Sequence, residues 1–242
     1  MGLVCFDMDR VLVDHLSTWQ WIYDKLGISN EESFNLYNQG KLNEWEWIIL
    51  DIDLIRSAVE GVLKDEYLRS LLADCPMMEG WRECVQSLLN DGHQVAIISG
   101  GMQESARQIA SAFPSSQIWR RRWGGIDRFT AGRINGFDTR LHVFCNGWLT
   151  NADGTIPDTG RYQVQMHGKG NIVRMLQRRL GISQSDTASV GDSAGDIDMF
   201  HKSGFSIAFN PWDDRPMKEA TITIEERDLG LALKAIQEYF RE

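Results

Sequence analysis

A chain of 242 residues, 43% hydrophobic and 24% charged, is long enough for a full core and has the composition of an ordinary globular protein. Its formal charge of −9 argues against a nucleic-acid partner, which would favour a basic surface, but leaves room for a small anionic ligand held by a few local donors. No apolar run approaches membrane-spanning length, the first residues lack the basic flank of a signal peptide, and Phe6 stands where a myristoylation signal wants Ser or Thr. Four cysteines (Cys5, Cys75, Cys84, Cys145) show no Cys-x-x-Cys or zinc-type spacing, so buried reduced thiols and a cytoplasmic location are expected, with no membrane partner.

The chain begins MGLVCFDMDRVLVD. Leu3 to Phe6 read as a short strand buried on both faces, and such a strand in a parallel sheet ends at the carboxyl edge, where open α/β proteins place ligands. That edge would carry Asp7 and Asp9. Asp-x-Asp also occurs at Asp51/Asp53 and Asp196/Asp198, so the pair means little on its own. Residues 14–77 read as helical. In EWEWIILDIDLIRSAVEGVLKD, Ile48, Ile49, Ile52, Ile55, Val59 and Val62 recur at helical spacing, and Trp19, Trp21, Trp45 and Trp47 are expected to pack in the same unit.

A helix over Glu79–Asp91 precedes the buried strand HQVAIISGG, followed by a helix from Gln103 to about Ala112. Strand–helix alternation of this kind builds a parallel sheet with right-handed crossovers. Residues from about 114 to 165 break the rhythm with Pro114, several glycines, the basic run IWRRRW and the piece RLHVFCNGW; NADG before Thr155 is a turn signal, so a hairpin or small β insertion is expected there. From Lys169 the alternation returns: a helix to Leu180, the strand TASVGD, the helix AGDIDMFHKSG and the strand FSIAF, then TITIEE and a last helix. The expected architecture is α/β, a Rossmann-like doubly wound parallel sheet. Residues 1–13 and 78–242 would form the core, 14–77 a helical cap and about 114–165 an insertion.

Polar residues sit at the ends of these predicted strands. Ser99 closes QVAIIS and is followed by Gly100, which offers an unhindered N–H; Lys169 stands at a helix start in HGKGN; Asp192 and Asp196 follow a strand in VGDSAGD. HGKG is not a Walker A loop, because Gln163 and Gly170 occupy positions that need Gly and Ser or Thr. The ordered set Asp7-Met8-Asp9-Arg10-Val11, Ser99, Lys169 and Gly191-Asp192 to Asp196 resembles the haloacid dehalogenase superfamily of phosphotransferases. ISGGM, HGKG and VGDSAGDIDMF are most similar to its phosphoserine phosphatase branch.

The resemblance implies a Mg²⁺-dependent phosphomonoesterase acting on a small phosphorylated metabolite. Asp7 would be the nucleophile and Asp9 the general acid and base. Ser99, Gly100 and Lys169 would hold the transferring oxygens, and Asp7, Asp9 (through its carbonyl), Asp192 and Asp196 would serve the metal, Asp196 by orienting bound water or holding Lys169. Arg10 departs from the small residue usual in the family; it could guard the entrance, bind a second anionic group or turn outward. The branch also implies a Glu shortly after the first motif and a cap Arg for free phosphoserine. This chain offers Asp14-His15-Leu16-Ser17-Thr18, with Arg56 and Arg69 in the cap. Arg120, Arg121 and Arg122 between Trp119 and Trp123 suggest a solvated face, a lid or a homodimer contact. Two rivals stand beside the hydrolase: a phosphotransferase or phosphomutase of the same superfamily, and a catalytically inactive ligand-binding homologue.

Overall fold

The computed structural model describes residues 1–113 and 138–241. The strands are β1 (Leu3–Phe6), β2 (Gln94–Met102), β3 (Leu141–Trp148), β4 (Gly160–Arg161), β5 (Thr187–Gly191), β6 (Phe205–Phe209) and β7 (Ile222–Ile224). They form one sheet in the order β4-β3-β2-β1-β5-β6-β7, parallel throughout except for the β3–β4 pair. β1 is central, with Leu3 opposite Gln94 on one side and Thr187 on the other. Its four residues are all buried: Val4 and Phe6 enter one core layer, Leu3 and Cys5 the other, as the unbroken apolar run requires.

Helices cover both faces. α5 (Trp81–Asn90), α6 (Gln103–Ser111) and α9 (Leu229–Tyr239) supply Leu88, Ile109 and Ile236 to the layer holding Val4 and Phe6. α7 (Lys169–Leu180) and α8 (Ile197–Phe200) supply Val173, Leu176 and Met199 to the opposite layer. Successive connections run outward in one direction from β1 to β3 and in the other from β5 to β7. The crevice where the order reverses therefore lies between β1 and β5.

Between β1 and α5 the chain forms α1 (Thr18–Leu26), α2 (Glu31–Asn38), α3 (Glu44–Ser57) and α4 (Asp65–Leu72). α3 starts at a capping box, Asn43 accepting from the Glu46 N–H while the Glu46 carboxylate accepts from the Asn43 N–H. Ile22, Ile48, Ile52, Ile55 and Leu68 of these helices form a third apolar cluster together with Met102 of β2 and Trp148 of β3. The helical periodicity read through Val62 stops at Ser57: the chain then turns, and Val62 is exposed. Trp45 is also exposed, on the outer face of α3, whereas Trp47 stacks on Tyr37 at 4.5 Å.

The irregular stretch differs from its sequence reading. RLHVFCNGW contributes β3, a strand of the main sheet paired in parallel with β2 and buried along its whole length. Its His142 and Asn146 obscured this in the sequence: His142 bonds Gln94 of the neighbouring strand, and Asn146 bonds the backbone at 163–164. The expected turn does occur at NADG, where the Asn151 N–H donates to the Thr155 carbonyl, and short antiparallel β4 follows. Residues 114–137, including the Arg120–Arg122 run, lie outside the described residues. All four cysteines are free and buried. No helix among the described residues is long and apolar enough to cross a membrane.

Candidate active site

Asp7 is the first residue after β1, and its N–H still donates to the Val190 carbonyl of β5 at 2.9 Å. Asp192 is the first residue after β5. Two adjacent parallel strands thus deliver two buried carboxylates side by side at the crevice. Lys169, the first residue of α7 and itself buried, reaches between acids: its Nζ lies 3.0 Å from Asp7 Oδ1 and 2.6 Å from Asp196 Oδ1. Asp196 Oδ2 accepts from the Asp192 N–H, the Ser193 N–H and the Ser193 hydroxyl, so this side chain folds the GDSAGD loop around itself. Gly191 is required by that packing, since a Cβ there would meet Asp196 Cγ at 2.3 Å.

Burial and crowding set the protonation chemistry. The Asp7 carboxyl is pushed up to about 6 by desolvation, with Lys169 opposing and Asp196 adding to the rise. Asp9 is pushed up to about 7, again by burial first and by the Asp7 charge second. Asp192 rises well above the usual carboxylate range through burial and the charges of Asp196 and Asp7, opposed by Lys169 and Arg10. Burial would lower Lys169, but the charges of Asp196 and Asp7 outweigh it and hold the ammonium well above its ordinary value. A carboxyl near 7 beside a permanently charged ammonium suits one group to exchanging protons and the other to holding anions.

Asp9 is oriented by a residue the motif reading missed. Thr18 is fully buried; its hydroxyl accepts from the Met102 N–H at 2.7 Å and therefore directs its own proton to Asp9 Oδ2, at 3.4 Å. The signal was present in the sequence: Ser17 caps α1 by accepting from the Gln20 N–H, which leaves Thr18, at the first helical position, free to face the site. Asp9 Oδ1 is buried without a hydrogen-bond partner among the described residues. Gly101 admits this approach, because a Cβ on it would stand 2.5 Å from Asp9 Oδ2 and 2.8 Å from the Thr18 hydroxyl. Ser99 Oγ accepts from the Gly101 N–H, and the Gly100 carbonyl accepts from the Trp19 indole at 3.1 Å.

Arg10 turns inward. Its Nε donates to Asp192 Oδ2 at 2.9 Å and its Nη2 to the Asn210 carbonyl at 2.7 Å, while the guanidinium lies 5.2 Å from the centre of the Trp212 ring. Arg56 is not brought to the carboxylates. It pairs with Asp53 and Asp158 and donates to the Pro157 carbonyl, tying α3 to the loop before β4. Arg69 pairs with Asp65 and Glu104, Asp14 with Arg227, and His15 with Asp24.

The donor set fits a hard divalent cation. Asp7, Asp192 and Asp196 each offer a carboxylate oxygen, all within 4.8 Å of one another. Asp196 spends both oxygens on Lys169 and on the 192–193 segment, which suits it to orienting its neighbours. Asp7 and Asp192 each keep one oxygen without a hydrogen bond among the described residues.

A model of the haloacid dehalogenase-like hydrolase family matches residues 164–232, the part carrying Lys169, Asp192 and Asp196. Among curated proteins, a phosphoserine phosphatase of Methanocaldococcus jannaschii is 28% identical over 240 residues, 97% of each chain. A phosphoglycolate phosphatase of Archaeoglobus fulgidus is 38% identical over 69 residues, 28% of this chain and 31% of its own. A solved structure described as a phospho-aspartyl intermediate analogue of phosphoserine phosphatase superposes with a TM-score of 0.70 at 27% identity, covering 97% of this chain and 98% of that one. Strand-end motifs, sheet and matches agree: the chain is similar to the haloacid dehalogenase-like hydrolases and is built like the phosphoserine phosphatases.

Proposed function

We propose that the protein is a Mg²⁺-dependent phosphomonoesterase that hydrolyses a small phosphorylated metabolite through an aspartyl-phosphate on Asp7. The observation that carries this reading is the Lys169 ammonium lodged between Asp7 and Asp196 at the ends of two adjacent parallel strands, beside Asp192. A phosphate dianion approaching the Asp7 carboxylate needs its charge offset, and Lys169, the Ser99 hydroxyl and the Gly100 N–H stand ready to take its oxygens. Asp7 then attacks phosphorus and forms the acyl phosphate. Asp9, held by Thr18 and near 7, gives its proton to the departing alcohol and recovers one from the water that cleaves the acyl phosphate. Asp7, the Asp9 carbonyl and Asp192 would hold the Mg²⁺, which supplies charge neutralisation to the phosphoryl group when bound, while Asp196 fixes Lys169.

The substrate is inferred to be a phosphate ester other than free phosphoserine. Most of the charges that would read its amino and carboxylate groups are committed elsewhere: Asp14 to Arg227, Arg56 to Asp53 and Asp158, and Arg69 through Nε to Asp65, with its buried Nη2 left without a hydrogen bond among the described residues. Leu16 stands half-exposed in the stretch where a Glu would be wanted.

The test is turnover of an aryl phosphate by the parent, Asp7→Asn and Asp9→Asn proteins, each with Mg²⁺ and with chelator. The parent should turn over only with Mg²⁺, and Asp7→Asn should be inert though folded. Asp9→Asn should still form intermediate from an ester with a good leaving group. Turnover by Asp7→Asn near the parent level would remove the covalent mechanism.

A further inference from the structure

Arg10 and Asn210 are the two non-glycine residues with positive φ among the described residues, at +61° and +44°. That region is disfavoured for side chains with a β-carbon, and more so for a bulky one than for Asn. Here the two strained residues hold each other, Asn210 Nδ2 donating to the Arg10 carbonyl at 3.4 Å and Arg10 Nη2 to the Asn210 carbonyl. Trp212 completes the clamp: its ring faces the guanidinium, and its backbone N–H donates to the Asp192 carbonyl at 2.9 Å. Everything in this assembly holds the guanidinium against the Asp192 carboxylate.

Resting on the metal reading above, we propose that Arg10 is a resident counter-ion of Asp192 that weakens the site's affinity for a divalent cation. Three buried carboxylates, Asp7, Asp192 and Asp196, face two resident cations, Lys169 and Arg10. Leaving aside the Asp9 carboxyl, which is not among the cation's carboxylate ligands, this set carries one uncompensated negative charge with Arg10 present, so a dication overshoots its neutrality. With a neutral residue at position 10 it carries two, which a dication matches. An arriving cation must also share a carboxylate whose Oδ2 is already engaged at 2.9 Å, in a buried site where like charges repel more strongly than in water. The cation-loaded site is left with net positive charge, which a phosphate dianion relieves, so anion and cation favour each other's binding more strongly when Arg10 is present.

The test is a titration of Mn²⁺ alone, free ion read by electron paramagnetic resonance, on the full chain. The variants are Arg10→Gly and Arg10→Asn, both of which tolerate the left-handed backbone, Arg10→Lys, which keeps the charge, and Asp192→Asn. Arg10→Gly and Arg10→Asn should bind Mn²⁺ about tenfold or more tightly than the parent, and Arg10→Lys within about threefold of it. Inorganic phosphate should tighten Mn²⁺ binding more in the parent than in Arg10→Gly. Thermal unfolding provides a second readout: saturating Mg²⁺ should raise the midpoint of Arg10→Gly by more than that of the parent. Equal or weaker Mn²⁺ binding by both neutral variants would overturn the counter-ion role alone. Binding that is absent from every protein, or unaffected by Asp192→Asn, would overturn the metal reading and this inference with it.

Discussion

Replacing Lys169 by Met tests the charge arrangement on which the site rests. The ammonium is buried and contacts Asp196 at 2.6 Å and Asp7 at 3.0 Å, and both partners are buried. Removing one member of such a set leaves carboxylates uncompensated away from water, a loss of about 3–5 kcal/mol. In a chain of this size that corresponds to a fall of about 6–20 °C in the unfolding midpoint. The deficit should depend on pH in a determined direction. Asp7 already titrates near 6 with Lys169 opposing the rise, so without Lys169 its folded value climbs further above the unfolded value of about 3.9. A carboxyl raised in the folded state costs stability above its folded pKa and nothing below its unfolded one, so the deficit should shrink as pH falls from neutrality towards 4. Urea unfolding of the metal-free parent and variant at pH 7.5, 6 and 4.5 measures this, with aryl phosphate turnover expected to fall by about 10²–10³ in the variant. A deficit below about 1 kcal/mol at pH 7.5, or one that grows on acidification, would refute the reasoning.

Free phosphoserine should be a poor substrate, with a specificity constant about ten- to a hundredfold below that of the best small phosphate ester in a panel; losing a charge-assisted contact is worth about 1.5–3 kcal/mol. Phosphoserine at the head of that panel would contradict the assignment of Asp14, Arg56 and Arg69 to structural pairs. His142, buried in β3 against Gln94, is held down to about 4 by desolvation. Its unfolded form protonates from about 6.5, so its contribution is complete above that value and about 3 kcal/mol is lost as pH falls through about 4. His142→Gln should remove that part of the acid slope in urea unfolding; an unchanged slope would mean that the imidazole takes up its proton while folded.

Most of the candidate site was legible because it obeys one rule: short apolar runs buried on both faces end in a polar residue at a shared sheet edge. β1, β2 and β5 announced Asp7, Ser99 and Asp192 in this way, and the structure sets those strands side by side. What the sequence hid depends on which groups meet. Arg10 gave no sign of whether it faced outward or in, because its direction follows from Asp192, Asn210 and Trp212, about two hundred positions away. Arg56 looked available because its partners Asp158 and Pro157 sit across the loop before β4. β3 escaped because a strand with buried polar side chains needs its neighbours to satisfy them, and no local pattern displays those neighbours.

The central place of β1 also has a consequence for biosynthesis. Leu3 to Phe6 pair with Gln94 to Ile97 on one side and with Thr187 to Val190 on the other. At about 5–20 residues per second, roughly 10–40 s separate the translation of β1 from that of its second neighbour. Throughout that interval one edge of a wholly apolar strand lacks its native cover, and Asp7 lacks the strand that will accept its N–H. β1 is made well before its second neighbour and is enclosed late, so nascent chains halted before β5 should be those that engage chaperones and aggregate, and catalytic competence should arrive in one step as β5 docks.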